Sequence, residues 1–112
     1  MSTAPKAKVL HLAELAAYQD DSIVSRQVTK ADAGNVTLFA FDANQELSEH
    51  TAPFDALVHV LDGEAEVTIS GQRFQIRGGE AIILPAGQPH AVRARSRFRM
   101  LLTMIRTFAS MP

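Results

Sequence analysis

The chain has 112 residues, with 11 Lys and Arg against 12 Asp and Glu, 46% hydrophobic residues and no cysteine. That length fits one domain with one modest core, and the composition is globular, not disordered or fibrous. Balanced charge removes the broad positive field of nonspecific nucleic-acid binding, and the missing cysteines exclude disulfides, iron–sulfur clusters and thiolate nucleophiles, leaving imidazole and carboxylate as the metal donors to consider.

In chain order, the whole of 1–112 reads as a single domain, with 1–30 as an N-terminal arm and edge strand and a core at about 35–106. Lys6 and Lys8 precede an apolar run that His11 and Glu14 interrupt. It is therefore neither a signal-type core nor a membrane span, and a cytoplasmic protein without membrane contact is the expectation. Leu12, Leu15 and Ala16 have helical spacing over Leu10 to Tyr18, although a strand at Lys8 to Leu12 followed by one turn fits equally. The signals that follow are those of strands: Ser22 to Thr29, Val36 to Phe41, Ala56 to Leu61, Glu64 to Ile69, Gln72 to Ile76, Ala81 to Leu84, His90 to Ala94 and Phe98 to Arg106. Ala33-Gly34-Asn35, Asp62-Gly63, Ser70-Gly71, Gly78-Gly79 and Pro85-Ala86-Gly87 punctuate them. Asp62-Gly63 and Ser70-Gly71 read as hairpin turns, in which glycine supplies a positive φ. The cadence predicts an all-β sandwich or small barrel.

The segment Gly79-Glu80-Ala81-Ile82-Ile83-Leu84-Pro85-Ala86-Gly87-Gln88-Pro89-His90 resembles the second motif of the cupin superfamily, G-x5-P-x-G-x2-H-x3-N, with Ala94 in place of the final Asn. Upstream, Asn44, His50, Ala52, Ala56 and Gly63 occupy, without gaps, the Gly, His, His, Glu and Gly positions of the first motif. Glu49 to Leu57 and Met100 to Met104 are further similar to small single-domain bacterial cupins without an assigned activity. The resemblance implies a cupin-type double-stranded β-helix, a jelly-roll barrel of two antiparallel sheets. In the family the two His and the Glu of the first motif and the His of the second surround one metal ion. Of those ligands this chain keeps His50 and His90.

Two imidazoles and water can hold a divalent ion such as Zn, Ni, Fe or Mn only weakly, because such sites normally take three or more protein ligands. Asp55, beside the Pro53-Phe54 turn, is the neighbour from which a third ligand could come by a bulge or a loop swing. No cofactor is therefore assigned. Without an ion, one of two coupled imidazoles can act as general acid or base near neutral pH. Ala52 and Ala56 remove two bulky inward groups and so predict space beside the histidines for a small apolar or amphipathic molecule, lined by His50, Ala52, Phe54, Ala56, His90, Met100 and Met104.

Strand parity turns Met100, Leu102 and Met104 inward and Leu101, Thr103 and Ile105 outward, with Leu57, His59 and Leu61 on the same outer side. A strand apolar on both faces in so small a domain needs a cover, which a second copy would supply as a twofold dimer. Arg93, Arg95, Arg97 and Arg99 alternate as a stripe, which is either a solvated edge or an anion-binding face, with a break in register if the chain turns at Ser96. Three functions follow: a small-molecule-binding cupin dimer, a metal-dependent cupin enzyme (oxygenase or isomerase) using His50 and His90, and a non-catalytic interaction module working through the arginines.

Overall fold

The computed structural model describes residues 3–106. Nine strands run in chain order: β1 Ile23–Ala31, β2 Gly34–Phe41, β3 Glu46–His50, β4 Phe54–Asp62, β5 Glu64–Ile69, β6 Gln72–Arg77, β7 Ala81–Leu84, β8 His90–Arg93 and β9 Phe98–Arg106. They form a five-stranded sheet of order β1-β2-β9-β4-β7 and a four-stranded sheet of order β3-β8-β5-β6, with every pairing antiparallel. This is the double-sheet jelly roll expected of the motif spacing.

Period-two alternation sorts each strand into an inner and an outer face. Phe41, Phe98, Met100, Val58, Val60, Val67 and Leu84 point between the sheets and lose nearly all solvent contact. The Phe41 and Phe98 rings stack with centroids 4.5 Å apart. On the outer face of the larger sheet, Leu38 and Ala40 are buried beneath the N-terminal arm, through Ala16, Leu15 and Tyr18.

The arm carries neither the helix over Leu10 to Tyr18 nor a strand at Lys8 to Leu12. It makes a single 3-10 turn at Leu12–Glu14, after which its apolar side chains lie on the sheet. Two arginines of the β8–β9 region hold it there. Arg99 donates to the Ala16 carbonyl at 3.0 Å and lies over the Tyr18 ring at 4.1 Å, while Tyr18 donates its hydroxyl proton to Asp62 at 2.7 Å. Arg97 bridges Asp20 and Asp42, each at 2.8 Å.

Two turn assignments change. Ser70-Gly71 does close a hairpin between β5 and β6, with both residues at positive φ (48° and 84°), as a primed turn requires. Asp62-Gly63 does not, since β4 and β5 belong to different sheets and the dipeptide makes the bend between them. Gly63 has φ +79°, and a Cβ there would come within 2.7 Å of Phe98 Cβ, so the crossing has room only for glycine. The β1–β2 hairpin turns at Asp32-Ala33, one residue earlier than the sequence suggests, because Gly34 already pairs with Ala31.

Candidate functional site

The site lies at one end of the barrel, where β3 and β8 pair. His50 closes β3, His90 opens β8, and the ladder sets them opposite each other after an irregularity between Leu47 and His50. Their rings meet edge to face, with centroids 4.4 Å apart and an interplanar angle of 67°. His50 is exposed and His90 buried. Each Nδ1 faces a backbone carbonyl two residues earlier: Ser48 O at 2.9 Å for His50 and Gln88 O at 3.2 Å for His90. A carbonyl only accepts, so each Nδ1 is the protonated nitrogen. In the neutral rings each Nε2 then keeps its lone pair.

Beside the pair lies a cavity of about 50 Å³ lined by Leu47, His50, Ala52, Ala56, Leu84, His90, Val92, Met100, Leu102 and Met104. Six of the seven residues expected around a pocket are in that lining. Phe54, the seventh, sits at the first position of β4, where the Arg106 guanidinium lies 5.9 Å from its ring, and it contributes no wall. Leu47, Leu84 and Val92 complete the wall without having been expected there, and their signal is that each stands at an inward, apolar strand position. Leu102 has the parity of its methionine neighbours and could have been included on that signal.

Burial lowers the pKa of His90 below the usual imidazole value, since charging the ring would forfeit hydration; charge on His50 pushes the same way, and the Gln88 carbonyl opposes both. His90 is thus a neutral acceptor at pH 7. No cluster of three or more His, Asp or Glu side chains that could hold an ion is found among the described residues. Asp55 accepts a hydrogen bond from the Ala86 backbone N–H at 2.9 Å on the outer side of the barrel, where it fixes the Pro85–Gly87 loop that leads to His90. The donor set for the family's divalent ion is therefore short of ligands and has no carboxylate, and the residues present do not fit it.

Two of the four departures from the motifs, Asn44 and Ala94, adjoin each other. Asn44 has φ +69°, the left-handed conformation that the family's glycine permits, and its N–H donates to the carbonyl of buried Ala94 at 2.7 Å. Ala94 N–H returns a bond to Gln45 O at 2.9 Å, so the start of the first motif and the end of the second are tied through the backbone.

The arginines do not form a free stripe. β8 ends at Arg93 and β9 starts at Phe98, so the register breaks between them; Arg95 pairs with Glu66, Arg97 with Asp20 and Asp42, and Arg99 with Asp62.

A jelly-roll barrel with a histidine pair at this place defines the cupin class. The profile of the cupin domain matches residues 37–106, and the chain belongs to that family. Among solved structures it is similar to a conserved Streptococcus pyogenes protein of unknown function, 35% identical over 96% of both chains with a TM-score of 0.87. A cupin superfamily protein from Desulfitobacterium hafniense is 26% identical, with 95% of this chain and 97% of that one covered and a TM-score of 0.86. A cupin 2 conserved barrel domain protein from Leptotrichia buccalis is 39% identical over 86% of this chain and 47% of its own length, with a TM-score of 0.83. No curated protein matches.

Proposed function

We propose that the protein binds a small organic molecule at the mouth of the barrel without the help of a metal. The observation that carries this reading is the pair of imidazoles with both Nδ1 atoms committed to carbonyls, which leaves two acceptors beside an apolar cavity. A complementary ligand presents a hydroxyl or N–H to the histidines and a compact apolar group to Ala52, Ala56, Leu84 and Leu102. The 50 Å³ of space takes only a few heavy atoms, so the rest of the ligand lies toward solvent past exposed His50. Because burial keeps His90 unprotonated, its Nε2 is free at pH 7 to accept a hydrogen bond from a hydroxyl or N–H of the ligand.

The test is thermal melting of metal-free protein with a panel of small phenols and alcohols. A ligand at a hundred times its Kd stabilises by about 2.7 kcal/mol. Stabilisation should vanish in His50→Ala and His90→Ala and in Ala56→Leu, which fills the cavity. Equal stabilisation of all three variants would refute the reading.

A second proposal concerns self-association. Leu57, Ile83 and Ile105 are 37%, 60% and 57% exposed on the outer face beyond the reach of the arm. Leu61 and Leu101, which parity places on the same face, pack under the arm and leave a smaller surface for a partner copy than the sequence suggests. The half-buried His59 lies between the two zones. A twofold dimer through the bare half predicts twice the 12.2 kDa chain mass by light scattering, reverting to a monomer in Ile83→Glu plus Ile105→Glu. A monomeric parent protein would end this proposal.

A further inference from the structure

The bare half of the outer sheet face and the histidine site share a wall. Ala56 lines the small cavity beside the histidines on one side of β4 and, on the other, an apolar hollow of about 240 Å³ formed with Asp55, Leu57, Ile83 and Ile105. Asp55 is the one charged residue of that hollow, and its Oδ1 accepts from the Ala86 N–H at 2.9 Å. Ala86 lies on the link between β7 and β8 that ends at His90. Further along this link, Gly87 N–H donates to Ala52 O and Ser70 N–H to Pro89 O, both at 2.8 Å, and the Gln88 carbonyl accepts from His90 Nδ1 at 3.2 Å. Of the anchors that hold the link, Asp55 alone lines the outer hollow.

The strand register favours a second copy as the cover of this hollow. Ala31, Gly34, Ile105 and Asp55 follow one another across β1, β2, β9 and β4. Exposed Ile105 stands as a ridge between the 240 Å³ hollow and a second one of about 270 Å³ beside Gly34. A ridge next to its own hollows is self-complementary, as a twofold interface requires. Asp55, beside the ridge, loses water in that pairing. Covering a carboxylate without a partner is costly, whereas one that keeps the Ala86 N–H costs less, and the bond strengthens as water leaves. Association therefore favours the arrangement in which the link is pinned and the Gln88 carbonyl holds the His90 ring. We propose that self-association and the histidine site are coupled through Asp55: a second copy on the outer face fixes His90 for the ligand, and ligand at His90 promotes association by the same factor. This coupling rests on the ligand-binding and self-association readings above and adds the link between them.

The experiment follows the full chain by NMR across a dilution series, with sedimentation equilibrium of the same samples giving the associated fraction. Its probes are hydrogen exchange of the Ala86 amide and the ring nitrogen signals of His90, neither of which needs a ligand. Ala86 should exchange at least about 10-fold more slowly in the associated form, and the His90 ring should pass from a mixture of tautomers to the one protonated at Nδ1. Ile83→Glu plus Ile105→Glu should keep the rates of the dilute parent at every concentration. Asp55→Ala should still associate but exchange Ala86 rapidly throughout, and Asp55→Asn, which keeps an acceptor, should restore part of the difference. Any phenol or alcohol that raises the melting temperature should lower the concentration needed for association by at least about 5-fold. An associating parent whose Ala86 exchange and His90 spectrum ignore concentration, or whose association ignores such a ligand, would overturn the coupling and leave both readings standing. A parent that is monomeric throughout would overturn the self-association reading and the coupling with it, leaving ligand binding intact.

Discussion

Tyr18 is the only tyrosine and the chain has no tryptophan, so its phenol reports on the arm without interference. Partial burial, followed by the hydrogen bond to Asp62 and the negative charge of that carboxylate, pushes its pKa from 10.0 up to about 12, with Arg99 and Arg97 opposing. Two units correspond to at most about 2.7 kcal/mol; because the ring remains largely solvated, screening reduces the contact to about 1 kcal/mol. The folded chain holds this proton more tightly than the unfolded one. The contribution is therefore present in full below pH 10 and is lost as pH rises through 12. At pH 11 a docked Tyr18 should be roughly 10% ionised, against roughly 90% in an unfolded chain. Absorbance of tyrosinate near 295 nm measures both. In Asp62→Asn the midpoint should fall, and the arm should loosen by about 1 kcal/mol in urea melts. A parental midpoint near 10, or one unmoved by Asp62→Asn, would refute the docking of the arm.

Three further outcomes follow from the barrel. Ala52→His combined with Ala56→Glu puts the family's ligands back beside His50 and His90, so elemental analysis should find stoichiometric Ni or Zn in the double variant and not in the parent; a metal-free double variant would contradict the inward placement of both alanines. Met100→Ala, at a fully buried position, should cost about 2–5 kcal/mol by urea denaturation, and a loss below 1 kcal/mol would mean that this core is looser than described. Gly63→Ala should destabilise by about 1–3 kcal/mol through positive φ and contact with Phe98, more than Gly71→Ala, whose Cβ would meet open space; the reverse order would show that the sheet-crossing bend is misassigned.

Most of the barrel was legible because its strands bury one face and so alternate, and because motif spacing survives where motif chemistry does not. β3 left no such trace. Glu46, Ser48 and Glu49 are polar, and only Leu47 turns to the core, which suits an edge strand that must not recruit another chain. Asp62-Gly63 misled because a left-handed glycine after aspartate serves a sheet-to-sheet bend as well as a hairpin. The arm's cover over Leu38 and Leu101 rests on the sparse residues Leu15, Ala16 and Tyr18, too few to form a pattern. The ion pairs of Arg97 join residues 55 and 77 positions apart, a distance at which sequence alternation carries no information. At the site, the positions of His50 and His90 were readable from the motifs, whereas the edge-to-face meeting of their rings required the β3–β8 pairing.

The two histidines stand on strands of unequal standing. β8 is held on both sides, by β3 and β5, whereas β3 is an edge with β8 as its only neighbour. Local opening can peel β3 outward and carry His50 with it while His90 and the core behind it keep their places. Hydrogen exchange at Leu47 and Glu49 should then be far faster than at Val92. On the proposed ligand-binding reading, entry to the cavity would follow the fraying of one short ribbon, and substitutions on β3 should change ligand on- and off-rates while leaving the global unfolding free energy nearly untouched.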